Sequence, residues 1–239
     1  MNMNNFLMIL IFFPFISIAQ LKVDSTYYED TKVLQKVTIH VNDTAQGEWE
    51  YFYPSGTLNV METYYYGKLH GKRKEFYENG QLKSLEMNRN GSLNDTAIYY
   101  YENGNIRRKG AYNDNLYDGE WLTYYDEKED AQIKNKGSYY RGRPSGEWVF
   151  FFKNGQVEFK GSYDKGERTG FWSQYDEVGD LLSKGEYFEN KKNGKWTHYL
   201  PDGSVEEEGS YINDQKVGKW KEYKKNGKLK LKKYGQYKE

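Results

Sequence analysis

Short bursts of alternating apolar and polar residues run along most of this chain, and turn residues separate them. In one such burst Val157, Phe159, Gly161 and Tyr163 alternate with Glu158, Lys160 and Ser162, and a period of two gives a strand one apolar and one polar face. Asn154-Gly155 stands just before it, and Asn-Gly or Asp-Gly between apolar runs is the strongest short hairpin signal. The same signal recurs at Asn79-Gly80, Asn103-Gly104, Asp202-Gly203 and Asn226-Gly227. Each burst therefore predicts strand, tight turn, strand. Between bursts, Tyr163 to Gly170 carries Asp164, Gly166 and Thr169, so the links are expected to be hairpins as well. Strands this short leave no room for crossover helices. The expected fold class is all-β, an elongated single-layer antiparallel meander.

The bursts repeat. Units start at Gly47, Gly71, Asp95, Gly119, Gly146, Gly170, Gly194 and Gly218, a spacing of 24 residues except for 27 after Gly119. Eight tandem hairpins thus fill residues 47–239. Counting each start as zero, offset two holds Trp49, Trp121, Trp148, Trp172, Trp196 and Trp220, every tryptophan of the chain, with Arg73 and Ala97 in the other two units. Offset five is always aromatic, from Phe52 to Tyr223, and offset eleven is aliphatic in Leu58, Leu82, Ile106, Val157, Leu181, Val205 and Leu229. The fourth unit places Asp126 to Asp130, without glycine, at its turn.

Two registers fit these hairpins. A two-residue Asn-Gly loop sets Trp148 across from Gly161, Trp172 from Gly185 and Trp196 from Gly209, where an indole shields bare glycine backbone. A three-residue loop ending in a left-handed glycine sets Phe151 across from Val157 instead. Offsets two and five cannot share a face of a regular strand, so a bulge or a sheet with aromatics on both sides is expected.

The pattern Gly-x-Trp-x-x-Tyr-x-x-x-Gly-x-Leu-x-x-x-Gly-x-Tyr, seen in Gly146 to Tyr163 and Gly194 to Tyr211, resembles the MORN repeat, specifically its bacterial variant, which often carries a YwqK-type antitoxin label. The resemblance runs from Gly47 to about Lys233. It implies stacked β-hairpins in a curved sheet with a groove, and roles in protein assembly or contact with lipid headgroups. The eighth unit departs from the pattern, with Lys233-Tyr234-Gly235 where a late Gly-x-Tyr is expected, as terminal units of an array often do.

Phe6 to Ile18 is an almost unbroken apolar run ending in Ser17-Ile18-Ala19. Small residues there predict a signal peptide over residues 1–19, cleaved before Gln20, and the run is short for a membrane span. The expected location is exported: periplasm, cell surface or secreted. Residues 20–46 form a lead-in whose Val37 to Val41 reads as a strand capping the first hairpin.

Composition fits an open sheet. The mean hydropathy is −1.03 with 25 tyrosines and no cysteine, so tyrosine takes the packing role that aliphatic residues hold in a globule, and disulfides take none. The formal net charge of zero argues against a nucleic-acid partner. His40, His70 and His198 have no companion ligands at metal spacing. Glu48, Glu50, Glu120 and Glu147 begin strands where other units hold lysine, and the glycines around Gly155 are explained by turns. Catalytic, cofactor and metal sites are therefore all expected to be absent.

What remains is surface. Tyrosine and tryptophan anchor interfaces, so Trp49, Trp121, Trp148, Trp172, Trp196 and Trp220 with Tyr163, Tyr187 and Tyr211 form the candidate interaction face. The same rings would equally serve to hold the sheet together. Lys224, Lys225, Lys228, Lys230, Lys232 and Lys233 form a basic end that could meet an anionic lipid or envelope glycan, or blunt an edge strand against aggregation. The expected function is an exported, non-enzymatic scaffold binding a protein or peptide at the bacterial envelope. The alternatives are lipid or glycan association and toxin neutralisation.

Overall fold

The computed structural model describes residues 20–126, 132–224 and 228–235. The apolar N-terminal run, the turn after Asp126 and Lys225 lie outside them. The described residues form 19 strands and no helix. Apart from the β3–β4 break described below, each strand pairs antiparallel with its chain neighbour in one open sheet, from β1 (Leu21–Tyr27) on β2 (Leu34–Val41) to β19 (Leu229–Tyr234) at the other edge. The lead-in is thus a complete hairpin that extends the array, and Tyr28 in its turn makes the same bond to the next unit that later tyrosines make. β3 (Thr44–Ala45) and β4 (Gly47–Phe52) both pair with β2 and are one strand broken by a bulge.

Three kinds of glycine shape a unit. At the unit start the backbone is left-handed in all eight cases, for example Gly146 at φ +71° and Asp95 at +69°, which only glycine or a short polar residue adopts cheaply. The ladder slips there: Gly137 pairs with Trp148, but Ser138 pairs with Ser145. The unit start is a glycine bulge. The turn glycine is also left-handed, Gly155 at +83°, and its N–H donates to Phe152 O at 3.0 Å. The third kind, such as Gly161 at offset fifteen, has ordinary backbone and serves close packing.

Both registers occur in the same hairpin. β12 (Arg143–Phe151) and β13 (Val157–Asp164) pair Trp148 with Gly161 and Phe151 with Val157, because Glu158 is an extra residue between them. The loop within a unit is therefore the three-residue one. Two-residue loops join the units, as at Lys165-Gly166, where both residues have positive φ of 50° and 94°, the type I′ geometry that matches strand twist. Glu158 also overturns the simple alternation expected of Val157 and Phe159: Val157 joins Phe151 on one side, and Phe159, Gly161 and Tyr163 take the other.

Aromatic residues lie on both sides. Trp148 and Phe150 stack at 5.9 Å on one face, and Phe151, one residue further, faces away. On that opposite face a lysine covers the aromatic of the following unit, Lys160 on Tyr175 at 5.5 Å and Lys184 on Tyr199 at 5.7 Å.

Candidate interaction face

Each indole reaches back over the preceding strand. Trp172 Nε1 donates to Ser162 O at 3.1 Å and Trp196 Nε1 to Glu186 O at 2.9 Å, and every tryptophan bonds the carbonyl ten residues before it. The ring then lies on the offset-fifteen glycine of the previous unit. A Cβ on Gly161 would meet Trp172 Cδ2 at 2.2 Å, and Gly110, Gly137, Gly185 and Gly209 are equally covered by the next tryptophan. The pairing of Trp148 with Gly161 was legible in the sequence, but the indole seated on Gly161 is Trp172.

Tyrosines at offset seventeen fill the spaces between indoles. Tyr163 meets Trp172 at 5.2 Å, Tyr187 meets Trp196 at 5.2 Å and Tyr211 meets Trp220 at 5.0 Å, all edge to face, the geometry the ring quadrupoles favour. The column runs unbroken from Tyr112 to Tyr234. Tyr234 belongs to it because the last hairpin lacks the bulge residue, so Tyr234 still falls opposite Gly218. The irregular C-terminal unit is one residue short of the pattern, and its ladder is intact.

All nine residues of the candidate face therefore lie on one side of the sheet, with Trp49 apart from the rest beside His40 and Tyr64. Their exposure differs. Trp121, Trp148, Trp172, Trp196, Trp220 and Tyr211 are buried, Trp220 completely, whereas Trp49, Tyr163 and Tyr187 are only partly buried. Burial pushes both tyrosine hydroxyls above their ordinary pKa, against the pull of Arg168. The buried indoles and Tyr211 hold the sheet, and Tyr163, Tyr187 and their neighbours present a surface.

That surface carries a groove of about 370 Å³, whose lining includes Phe159, Trp172, Gln174, Ser183, Tyr163 and Tyr187, the cations Arg168 and Lys192, and one carboxylate, Glu158. Sequence reasoning missed the cations. Arg168 lies 4.1 Å over Tyr187, Lys192 is 4.2 Å over Trp196, and Lys216 is 4.0 Å over Trp220. All three occupy offset twenty-two, so their recurrence was readable.

The ladder breaks in the second and third units. Arg73 takes the tryptophan position and pairs with Glu62 at 3.4 Å, Glu75 at 3.5 Å and Glu86 at 3.1 Å. Glu86 also accepts from the Tyr99 hydroxyl at 2.8 Å, and burial raises the Tyr99 pKa to about 12. Glu62 and Glu86 stand where other units have the covered glycine. No following indole needs the space, so the glycine is dispensable.

The family described as MORN repeat variant matches residues 45–64, 69–87, 96–114, 144–165, 192–213 and 216–238, just over half of the chain. The chain belongs to the MORN repeat variant family. The units holding Trp121 and Trp172 fall outside the matched segments, yet both indoles make the MORN-array bond to the preceding strand. No curated protein matches. Among solved structures, the chain is similar to part of a GtfA/B complex bound to UDP and GlcNAc, at 15% identity and TM-score 0.19, over 47% of this chain and 24% of that one. It is also similar to part of a TcdB2-TccC3-TEV structure, at 11% identity and TM-score 0.23, over 87% and 12%. A third likeness is to a Photorhabdus luminescens Tc holotoxin pore, at 13% identity and TM-score 0.22, over 87% and 13%. The chain thus spans about a quarter or less of the length of these proteins.

The basic set is not gathered into one patch. Lys224 and Lys228 flank the last turn, Lys230 and Lys232 face the ladder side, where Lys232 pairs with Glu222, and Lys233 faces away. The histidines remain separate. His198 stacks on Trp196, and burial, helped by the charge of Lys192, lowers its pKa.

Proposed function

We propose that the protein is an exported, non-enzymatic scaffold of the bacterial envelope that holds a protein or peptide along its ladder face. The observation that carries this reading is the groove at Phe159, Gln174 and Ser183, lined by partly buried rings, two cations and Glu158 on a continuous sheet. A preformed site of this kind loses little entropy on binding, and its mixture of aromatic and polar groups is that of a protein interface. Replacing Trp148 or Trp172 would test folding instead, since both indoles are buried. The informative change is Gln174→Trp, which fills the groove without altering its charge and leaves the ladder residues in place. Mature wild-type chain incubated with native envelope extract should retain a partner that the variant loses, with an unchanged circular dichroism spectrum. Equal recovery by both proteins would sink the groove reading.

A second reading has its own observation. The edge strand β19 exposes Leu229 and Leu231 beside Lys233, apolar and cationic groups that suit an anionic membrane surface. Flotation with phosphatidylglycerol vesicles at low and high salt tests it. Absence of salt-sensitive association removes it.

A further inference from the structure

Arg168, Lys192 and Lys216 stand at the same position of three successive units, one cation per repeat along the ladder face. Successive cations are two strands apart, roughly 9.6 Å at ordinary strand spacing. Each head group is steered onto an aromatic ring, which fixes its place along the row. Burial holds Lys192 below the usual lysine range, opposed first by the charge of Asp214 and assisted less strongly by those of Lys216 and Arg168. A row of mutually repelling cations gains most from an anion that spans it. Lys216 shares its charge with Glu207 at 2.6 Å, which leaves Arg168 and Lys192, both on the groove wall, as the stronger pair.

Spacing selects the occupant. An extended strand presents same-face residues about 6.8 Å apart, close to two thirds of the repeat, so it can meet the first and third cations and leaves the middle one, Lys192, without an acid. A polyproline-II segment turns once every three residues and rises about 9.3 Å per turn, within a few tenths of an ångström of the repeat. Such segments dock in aromatic-lined grooves, and Tyr163 and Tyr187 offer the rings. We propose that the partner segment, on the reading of this face as a peptide groove, is an acidic polyproline-II stretch. It runs across the strands, with Asp or Glu at every third position meeting Arg168, Lys192 and Lys216.

The test is tryptophan fluorescence of the mature chain titrated with a synthetic peptide of four Glu-Pro-Pro repeats. A peptide of identical composition with its glutamates in one block serves as the comparison. The periodic peptide should bind at least about tenfold more tightly than the blocked one, a difference that net charge, equal in the two, cannot create. Lys192→Glu should abolish binding, and Lys192→Gln or Arg168→Gln should weaken it about tenfold. Lys216→Gln should matter less. If Lys192→Glu fails to fold by circular dichroism, the neutral variants and the two peptides still decide. Equal affinity for both peptides overturns the inference. So does binding that appears only with polygalacturonate or with phosphatidylglycerol vesicles. Should the peptides fail while envelope partner recovery is still lost in Gln174→Trp, the acidic segment falls and the groove reading stands.

Discussion

A methyl group placed on Gly161 would lie 2.2 Å from Trp172 Cδ2, whereas one placed on Gly80 would meet nothing within 4 Å. The two glycines are required for different reasons, and substitution separates them. Gly161 has ordinary backbone, so Gly161→Ala should cost about 1–3 kcal/mol through overpacking alone. In a Trp172→Ala background most of that cost should vanish. Gly80 sits at φ +84°, so Gly80→Ala should cost about 1–2 kcal/mol from left-handed backbone, unchanged by Trp172→Ala because the sites are independent. Urea midpoints of the three single and two double variants measure this, and a full Gly161→Ala cost without the indole would refute the packing account. The placement of every tryptophan was legible in the sequence because the residue type is rare and the period strict. Which glycine each ring covers was not, since the indole leans across a unit boundary. The clue was present: Glu62 and Glu86 replace the covered glycine just ahead of Arg73 and Ala97, the two units without the ring.

Within a hairpin, the bulge at offset twelve reconciles two registers that the sequence left open, and no residue type marks it, because Glu158 reads as an ordinary polar strand position. A second feature of the turn edge was written in the sequence and passed unread. Tyr28, Tyr53, Tyr77, Tyr101 and Tyr125 each donate a hydroxyl bond to the backbone carbonyl ending the next unit's first strand, as Tyr77 does to Tyr100 O at 2.8 Å. Tyr77→Phe keeps the ring and removes the bond, so stability should fall by about 0.5–1.5 kcal/mol, whereas Phe152→Tyr, which supplies a hydroxyl at the same offset of the fifth unit, should raise it by a comparable amount. Thermal melts compare the two. Between strands on the opposite face, Glu208 bridges Lys195 at 2.9 Å and Lys221 at 2.8 Å, and these bonds lower its pKa to about 2. A depressed carboxylate stabilises the fold above its unfolded value and loses that contribution as pH falls toward the folded one. The array should therefore weaken slightly between about pH 4.5 and pH 2, by under about 1 kcal/mol for a solvent-screened site. Glu208→Gln should flatten this part of the melting-temperature curve; an unchanged curve would assign the acid sensitivity elsewhere.

Stability of a repeat array is a sum of unit and nearest-neighbour terms, so its weakest junction governs how it opens. Here that junction is the Arg73 cluster, which interrupts the aromatic column between Trp49 and Tyr99. Charges with partial burial return little net stability, yet removing one partner is costly. Glu62→Gly alone should destabilise by depriving Arg73 of a carboxylate, and Arg73→Trp alone should destabilise by driving an indole onto the Glu62 side chain. Together they recreate the arrangement of Gly161 and Trp172. Glu86 on the following strand is no obstacle: Trp49 already pairs with Glu62 and Trp220 with Lys232, so a side chain on that flank is tolerated, and Glu86 keeps its bond from Tyr99. The double variant should be more stable than either single one, with a favourable coupling of about 1–3 kcal/mol. Native-state hydrogen exchange locates the effect. In the wild type, amides of Leu58 to Tyr100 should open at lower free energy than those of Trp148 to Tyr211, and the double variant should bring the two regions together. Simple additivity of the two substitutions would show that a continuous aromatic column is not what binds one repeat to the next.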